Sequence, residues 1–206
     1  MEFDTIDPAL IRAIHNNNPA GIRTALRRGA DIEGRDIAAY TPMIWAARDG
    51  CAEALETLIS AGADLNAQNE YGETALIFAT VNRKADCAKI LVAAGADPDM
   101  QSVSGATALM WAVQRGDSEL AAALIAKDAN PDIRDNAGGT ALTWAAEQRN
   151  FAMIDLLLSA GAKPEVADEK HRKNLEKFLS EAKAQRRDRT VQKHGNLRRY
   201  MNRRTP

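Results

Sequence analysis

The side chains that could carry catalytic chemistry are few and scattered along the chain. The three histidines, His15, His171 and His194, are far apart, and the sequence contains neither a nucleophile motif nor a glycine-rich phosphate loop. The cysteines and histidines also lack the spacing of a metal site. Carboxylate pairs such as Asp97 and Asp99 fall in a predicted turn and are interpreted as solvated turn residues. The sequence therefore predicts no catalytic residue, no metal site, no cofactor and no enzymatic activity.

Binding chemistry is indicated instead by an aromatic series that recurs at a fixed step. Four aromatic residues are spaced 33 residues apart and include all three tryptophans of the chain: Trp45, Phe78, Trp111 and Trp144. We call this series the aromatic stripe. Each ring lies two residues after a core position on a predicted helix, about 200° around the helix axis and off the main core face. Two interpretations stay open: the rings pack against one another and complete the core, or they contact a partner directly. Half-exposed rings can do both.

Polar side chains flank the aromatic stripe at helical spacing. The flanking residues that we assign to the predicted binding surface are Arg48, Asp49, Asn82, Arg115 and Glu147. Aromatic and arginine side chains concentrate binding energy at protein interfaces. Aromatic residues rimmed by charge are typical of a binding groove.

The C-terminal segment carries a charge opposite to that of the rest of the chain. Residues 1–169 hold 14 Lys/Arg and 25 Asp/Glu, whereas residues 170–206 hold 13 Lys/Arg and 3 Asp/Glu. The segment includes paired arginines: Arg186, Arg187, Arg198, Arg199, Arg203 and Arg204. These cations could hold nucleic acid or an acidic partner, form a solvated extension, or fold back onto the acidic body. No recognition motif accompanies them, so nucleic acid is not the favoured partner.

A repeat of 33 residues must position these side chains. Four threonines open the same pattern at that step: Thr41, Thr74, Thr107 and Thr140. A second marker, Gly-Ala-Asp or a variant of it, keeps the same step at residues 29–31, 62–64, 95–97, 128–130 and 161–163. Each copy predicts a helix capped by the threonine, a second helix that ends near the glycine, and then a short turn.

The period and the pattern Thr41-Pro42-Met43-Ile44-Trp45-Ala46 resemble the ankyrin-repeat family. The resemblance covers residues 8–168 and implies an all-α solenoid of about five stacked helix-turn-helix repeats with short hairpin or β-turn loops. It also implies that the first helix of each repeat lines a concave groove, which would carry the aromatic stripe. Six further residues would edge that groove as its loop tips: Tyr40, Glu70, Tyr71, Glu73, Val103 and Ser104.

The predicted organisation is one elongated domain followed by a tail. Its parts are an N-terminal capping repeat (1–36), four ankyrin-like repeats (37–69, 70–102, 103–135 and 136–168), a C-terminal capping helix (169–187) and a basic, flexible tail (188–206). Asp168 is expected to cap the last helix, and Leu175, Phe178 and Leu179 are expected to cover the last repeat.

The chain departs from the family pattern at two kinds of position. The family's histidine is replaced by Ile44, Ile77, Met110 and Thr143, so we expect packing to supply the stability there. Arg83 and Arg149 stand where the family has a glycine between the two helices, and Asp128 replaces a helix-ending glycine. Each of these three residues is predicted to take a left-handed conformation, which costs ~1 kcal/mol.

The resemblance implies a non-enzymatic protein-protein interaction module, acting as an adaptor, scaffold or inhibitor. The acidic body predicts a basic partner protein. The alternative is binding of nucleic acid or an acidic partner through residues 170–206.

The sequence contains no run of ~18 apolar residues, so no membrane span is predicted. Residues 1–4 lack the basic-then-apolar order of a secretory signal. Cys51 and Cys87 suggest no disulfide framework, so we expect a cytoplasmic protein. Because both ends of the stack are predicted to be capped, we expect a monomer when the protein is alone.

Overall fold

In a computed structural model of the protein, the described residues are 6–164, 169, 173 and 175–181. They form helices and turns, without a strand, and residues 175–181 are helical. The helices named in this part of the chain are α1 (Pro8–His15), α2 (Pro19–Arg27), α3 (Pro42–Asp49), α4 (Ala52–Ser60), α5 (Ala75–Val81), α6 (Ala85–Ala94), α7 (Ala108–Arg115), α8 (Ser118–Ile125), α9 (Ala141–Glu147) and α10 (Phe151–Ser159). The predicted all-α fold is confirmed.

The helices stack as two layers. The odd-numbered helices, which we call inner, contact one another in series from α1 to α9, and the even-numbered, outer helices do so from α2 to α10. Each helix pair therefore packs on the pair before and the pair after it, as in a quasi-one-dimensional solenoid. This arrangement confirms the predicted stack of five helix-turn-helix units.

The core lies between the two layers and is built from small and branched side chains. An alanine at the same place of each inner helix lets neighbouring helices approach closely, and these alanines are at most 7% exposed: Ala13, Ala46, Ala79, Ala112 and Ala145. A leucine on each of four outer helices is fully buried: Leu58, Leu91, Leu124 and Leu157. Burying a leucine side chain stabilises a fold by about 1.5–3 kcal/mol, so these repeated contacts supply much of the cohesion of the stack.

Threonine hydroxyls cap the inner helices as predicted. The Oγ1 of each N-cap threonine accepts a hydrogen bond from the backbone N–H three residues later, at Ile44, Ile77, Met110 and Thr143. In α1, Asp7 takes this role and accepts from the N–H groups of Ala9 and Leu10 at 2.7 and 2.9 Å. Because the free N–H groups at a helix start need acceptors, losing such a cap costs about 0.5–2 kcal/mol.

The positions that lack the family's histidine behave in two ways. Ile44, Ile77 and Met110 are at most 1% exposed, so packing replaces the polar residue there. Thr143 is also buried, but its Oγ1 accepts from the Thr140 N–H at 2.7 Å and donates to the Thr140 carbonyl at 2.8 Å. The expectation that packing alone stabilises these four positions is therefore wrong at Thr143, because the hydroxyl closes a capping box.

Several non-glycine residues adopt the left-handed conformation. The predicted cases are confirmed at Arg83 (φ 57°), Arg149 (φ 55°) and Asp128 (φ 62°). Two more, Asn17 (φ 45°) and Ala39 (φ 59°), were not predicted. All five stand at positions where other copies of the repeat have glycine. The stacked repeat thus imposes its backbone conformation even where the local sequence opposes it.

The turns between helix pairs are tight hairpins joined in a row. Within one of them, Asn69 N–H donates to the Glu73 carbonyl at 3.1 Å, which confirms the predicted turn. Consecutive tips are linked by backbone hydrogen bonds of 3.3, 2.8 and 3.0 Å: Glu70 to Ala38, Val103 to Tyr71, and Asn136 to Ser104. The tips therefore form one continuous edge of the solenoid.

Side-chain hydrogen bonds also link neighbouring hairpins. The Gln68 Nε2 donates to the Gln101 carbonyl at 2.9 Å, and the Gln101 Nε2 donates to the Arg134 carbonyl at 2.9 Å. The Arg35 Nη1 makes the equivalent bond to the Gln68 carbonyl at 2.8 Å. Each bond joins residues that are 33 positions apart, so equivalent positions of successive repeats hold the hairpins in register.

The helical residues 175–181 close the C-terminal end of the stack. Leu175 is fully buried, and Phe178 and Leu179 pack against the core. Arg149 fastens this segment through a 2.7 Å bond to the Glu181 carboxylate. The ends of the predicted helix 169–187, the cap at Asp168, the tail 188–206 and the six paired arginines of the C-terminal segment lie outside the described residues.

Candidate functional site

The inner helices place the aromatic stripe along one side of the stack. Trp45, Trp111 and Trp144 are half-buried and pack against the core, whereas Phe78 is only 9% exposed. The three indole rings of the stripe are therefore partly exposed to solvent, whereas Phe78 contributes mainly to the core.

Two of the indoles are fixed by hydrogen bonds to hairpin aspartates. Trp45 Nε1 donates to Asp36 Oδ2 at 3.1 Å, and Trp144 Nε1 donates to Asp135 Oδ2 at 2.7 Å. The other oxygen of each carboxylate accepts two hairpin N–H groups at 2.8–2.9 Å. One side chain thus joins hairpin and inner helix. The sequence contains this signal as an Asp nine residues before a Trp, but both aspartates fall in the predicted turn, whose residues were given no contact with the helix.

The third indole lacks this support. Ser102 occupies the aspartate position of that repeat, and its Oγ bonds to the Oγ of Ser104 at 2.8 Å. Trp111 Nε1 is buried and has no hydrogen-bond partner among the described residues. A buried donor without an acceptor costs about 1–3 kcal/mol, so the unpaired N–H of Trp111 destabilises the fold.

The rings contact one another in two groups. Tyr40 bridges Trp45 and Phe78, with centroid distances of 5.5 and 5.1 Å. Trp111 and Trp144 meet edge to face at 5.7 Å. Direct packing of stripe rings against one another is thus present for Trp111 and Trp144, whereas Trp45 and Phe78 are joined through Tyr40. Direct contact with a partner stays a prediction.

Polar groups surround the first indole. The Arg48 guanidinium lies 4.6 Å from the Trp45 ring centroid, in a cation–π arrangement. The His15 ring also contacts the Trp45 ring edge to face, with a centroid distance of 5.3 Å, and its Nδ1 bonds to Asp49 Oδ2 at 2.5 Å. His15 was not predicted as part of this surface, because it belongs to the diverged first repeat.

The remaining flanking residues differ in exposure. Asn82 is exposed and donates to the Phe78 carbonyl at 2.9 Å, so it ends its own helix. Glu147 is exposed. Arg115 is half-buried, and its Nε has no acceptor among the described residues.

The loop tips carry the most exposed apolar groups of the described residues. Ile37, Tyr71 and Val103 are 76%, 57% and 67% exposed, and these are the large hydrophobic residues that stand out to solvent. All three lie on consecutive hairpins. Ile37 was not predicted, although it occupies the same repeat position as Val103, which could have revealed it.

The other predicted loop tips are less uniform. Glu70 and Ser104 are exposed, whereas Tyr40 and Glu73 are half-buried. Burial raises the pKa of the Glu73 carboxyl, and a hydrogen bond with Asn69 lowers it in part. Burial likewise raises the pKa of the Tyr40 hydroxyl.

The described residues offer little for catalysis or metal binding. Burial raises the pKa of the Cys87 thiol to about 11, and burial, followed by the charge of Asp49, raises that of Cys51. Both thiols are therefore protonated at neutral pH and poor nucleophiles. No group of three or more His, Cys, Asp or Glu side chains within the described ranges could hold a metal ion. In the same part of the chain, no helix has the length and hydropathy needed to cross a bilayer.

The chain matches a model of a known protein family. A family model described as ankyrin repeats (3 copies) matches residues 10–102 and 92–168. No curated protein matches the chain.

Proposed function

Because the chain belongs to the ankyrin-repeat family, we propose that it binds a partner protein on the aromatic stripe and the loop tips. Ankyrin repeats generally mediate protein-protein interaction, and proteins built from them are typically non-enzymatic. The binding surface, the nature of the partner and the role as adaptor, scaffold or inhibitor are our proposals.

The observation that carries the proposal is the row of exposed apolar side chains on the hairpins. Ile37, Tyr71 and Val103 stand out to solvent on three consecutive tips that are hydrogen-bonded to one another. Exposed apolar groups that cluster on a soluble protein are typical of interaction sites. Because the tips are already held in place, little conformational freedom is lost when a partner binds.

Charge supports a basic partner. Residues 1–169 contain 25 acidic and 14 basic residues, so this part of the chain has a negative field. Such a field steers a positively charged protein towards the surface and raises the association rate at low salt. The free cysteines Cys51 and Cys87 suit a reducing compartment, and we propose the cytoplasm as the place of action.

The test is affinity capture from the native lysate with quantitative mass spectrometry. The bait is the full chain, compared with a Tyr71→Ser/Val103→Ser variant in which two of the three exposed apolar groups are removed. A matched control, Ala93→Ser/Ala122→Ser, changes two exposed residues of the outer helices α6 and α8 without altering the charge. We expect a protein that is retained by the parent and the control but reduced about tenfold or more on the loop-tip variant, since interface anchors contribute 1–2 kcal/mol or more each.

A bait that ends at residue 187 separates this proposal from binding through the basic segment. Groove and tip binding should survive the truncation. Recovery of nucleic acid or an acidic protein only with the intact tail, with a steep loss on adding salt, would contradict the proposal and favour residues 188–206 as the functional element.

A further inference from the structure

A cavity between two helix pairs is lined in part by two arginine residues. It has a volume of about 280 Å³ and lies between the pairs α5–α6 and α7–α8. Its walls include Thr80, Arg83, Arg115 and Asp117. Because Arg115 ends α7, the cavity is one helix length, roughly 12 Å, from the hairpin row. It is therefore separate from the loop tips.

The turn that carries Arg83 has a recognisable role in other repeats. At the same repeat position, the side chain of Asn17 accepts a hydrogen bond from the Ala54 N–H at 2.9 Å. Arg149, also at this position, bonds to Glu181 at 2.7 Å. Both residues have a positive φ, and both reach the following unit of the stack. The contact offsets the backbone strain of a non-glycine residue in this conformation.

Arg83 has the same strained backbone conformation but lacks an ion pair like that of Arg149. Its φ is 57°, but it forms no ion pair within the described part of the chain. Glu181 follows Arg149 by 32 residues, and the residue that follows Arg83 by the same distance is Arg115, another cation. The repeat positions that give an ion pair at the end of the stack thus place two arginines in the lining of one cavity in its middle.

The other groups of the cavity leave these charges unbalanced. Asp117 supplies one carboxylate, whose Oδ1 already accepts from the Leu120 N–H at 2.9 Å as the cap of α8. The Arg115 Nε is a buried donor without an acceptor among the described residues. The lining thus has two positive charges and one negative charge, and one of its arginines carries an unsatisfied N–H donor.

We propose that this cavity binds a phosphate group, supplied either by inorganic phosphate or by a phosphorylated side chain. Guanidinium groups present paired N–H donors whose geometry matches phosphate oxygens. A tetrahedral phosphate bridges Arg83 and Arg115 and offsets the positive charge that Asp117 leaves unbalanced. This site is additional to the proposed protein-binding surface and does not depend on it.

The test is isothermal titration calorimetry of the full chain with inorganic phosphate at constant ionic strength. In Arg83→Gly the new residue is the one found at Gly50 and Gly116, and glycine adopts a positive φ without strain. We therefore expect this variant to melt no lower than the parent without phosphate, yet to bind phosphate about tenfold or more weakly. Arg115→Gln should show the same loss.

A matched control is Arg134→Gln, which removes an exposed arginine outside the cavity and should bind phosphate like the parent. Residues 182–206 are identical in all variants, so any binding by the basic tail cancels in the comparison. A second titration uses a peptide with one phosphoserine and the same peptide with serine. Arg83-dependent binding of inorganic phosphate identifies the free ion as sufficient, and Arg83-dependent binding of the phosphopeptide alone identifies a phosphorylated side chain. Absence of saturable binding by both probes, or equal affinities of the parent and Arg83→Gly, would overturn the proposal.

Discussion

Replacing Ser102 by Asp should stabilise the protein by completing a contact that two other repeats already have. Asp36 and Asp135 each accept the indole N–H of a tryptophan nine residues later, together with two hairpin N–H groups. At Ser102 the hydroxyl bonds to Ser104 instead, and the Trp111 Nε1 is left buried without an acceptor. In Ser102→Asp, the carboxylate stands where it can accept all three.

The expected gain follows from the contacts that are added. Satisfying a buried donor recovers about 1–3 kcal/mol, and hydrogen bonds to an ionised group are stronger than neutral ones. Partial burial of the new carboxylate offsets some of this. We expect a net increase of about 1–2 kcal/mol in the free energy of unfolding. For a chain of this size each kcal/mol corresponds to about 2–4 °C in melting temperature.

The assay is urea and thermal unfolding followed by circular dichroism. Ser102→Asn is the control, because Asn69 shows that an asparagine there accepts the two hairpin N–H groups, at 2.9 Å each. A second control places Ser102→Asp on a Trp111→Phe background, where no indole N–H exists. If Ser102→Asp is no more stable than Ser102→Asn, or if its gain is unchanged without the indole, the assignment of the orphan N–H as a destabilising feature is refuted.

Three further substitutions test other parts of the fold. Thr107→Val should cost about 0.5–2 kcal/mol in urea unfolding, because the cap of α7 is lost, and an unchanged midpoint would contradict the capping role. Since burial raises the folded-state pKa of Glu73 above its ordinary value of 4.5, ionising this carboxyl lowers stability as pH rises above that value. Glu73→Gln should therefore raise the melting temperature at pH 7, with a gain that disappears below pH 4.5; a gain independent of pH would argue against it. Arg149→Ala should change global stability by no more than about 1 kcal/mol, as for an exposed ion pair. It should, however, speed amide exchange in residues 175–181. Equal exchange rates in the parent and the variant would contradict this prediction.

The repeat made most of the architecture predictable from the sequence. A fixed step of 33 residues places each threonine at a helix start and each glycine at a turn, and the stacking of identical units leaves few alternative folds. For the same reason the left-handed conformation of Arg83 was predictable: its register with Gly50 and Gly116 outweighs its own preference. Asn17 escaped prediction because the first repeat diverges too far for the register to be used there.

The side-chain network was much less predictable. Asp36 and Asp135 have turn propensity, and only the stacked structure shows that the same carboxylates reach an indole. The capping box at Thr143 was missed because the family's histidine, rather than the local threonine pair, guided the interpretation. Exposure was equally hard to predict: Phe78 and Trp111 share one repeat position, yet Phe78 is nearly covered, in part by Tyr40.

The most direct measurement of the central proposal is hydrogen–deuterium exchange of the full chain with and without the purified partner recovered by affinity capture. Binding on the aromatic stripe and loop tips predicts protection in the hairpins and the starts of the inner helices, at residues 36–45, 69–78 and 102–111. The outer helices α4, α6 and α8 should exchange at unchanged rates. Protection confined to these outer helices, or to residues 182–206, would contradict the proposal that the partner is held on the hairpin side of the stack.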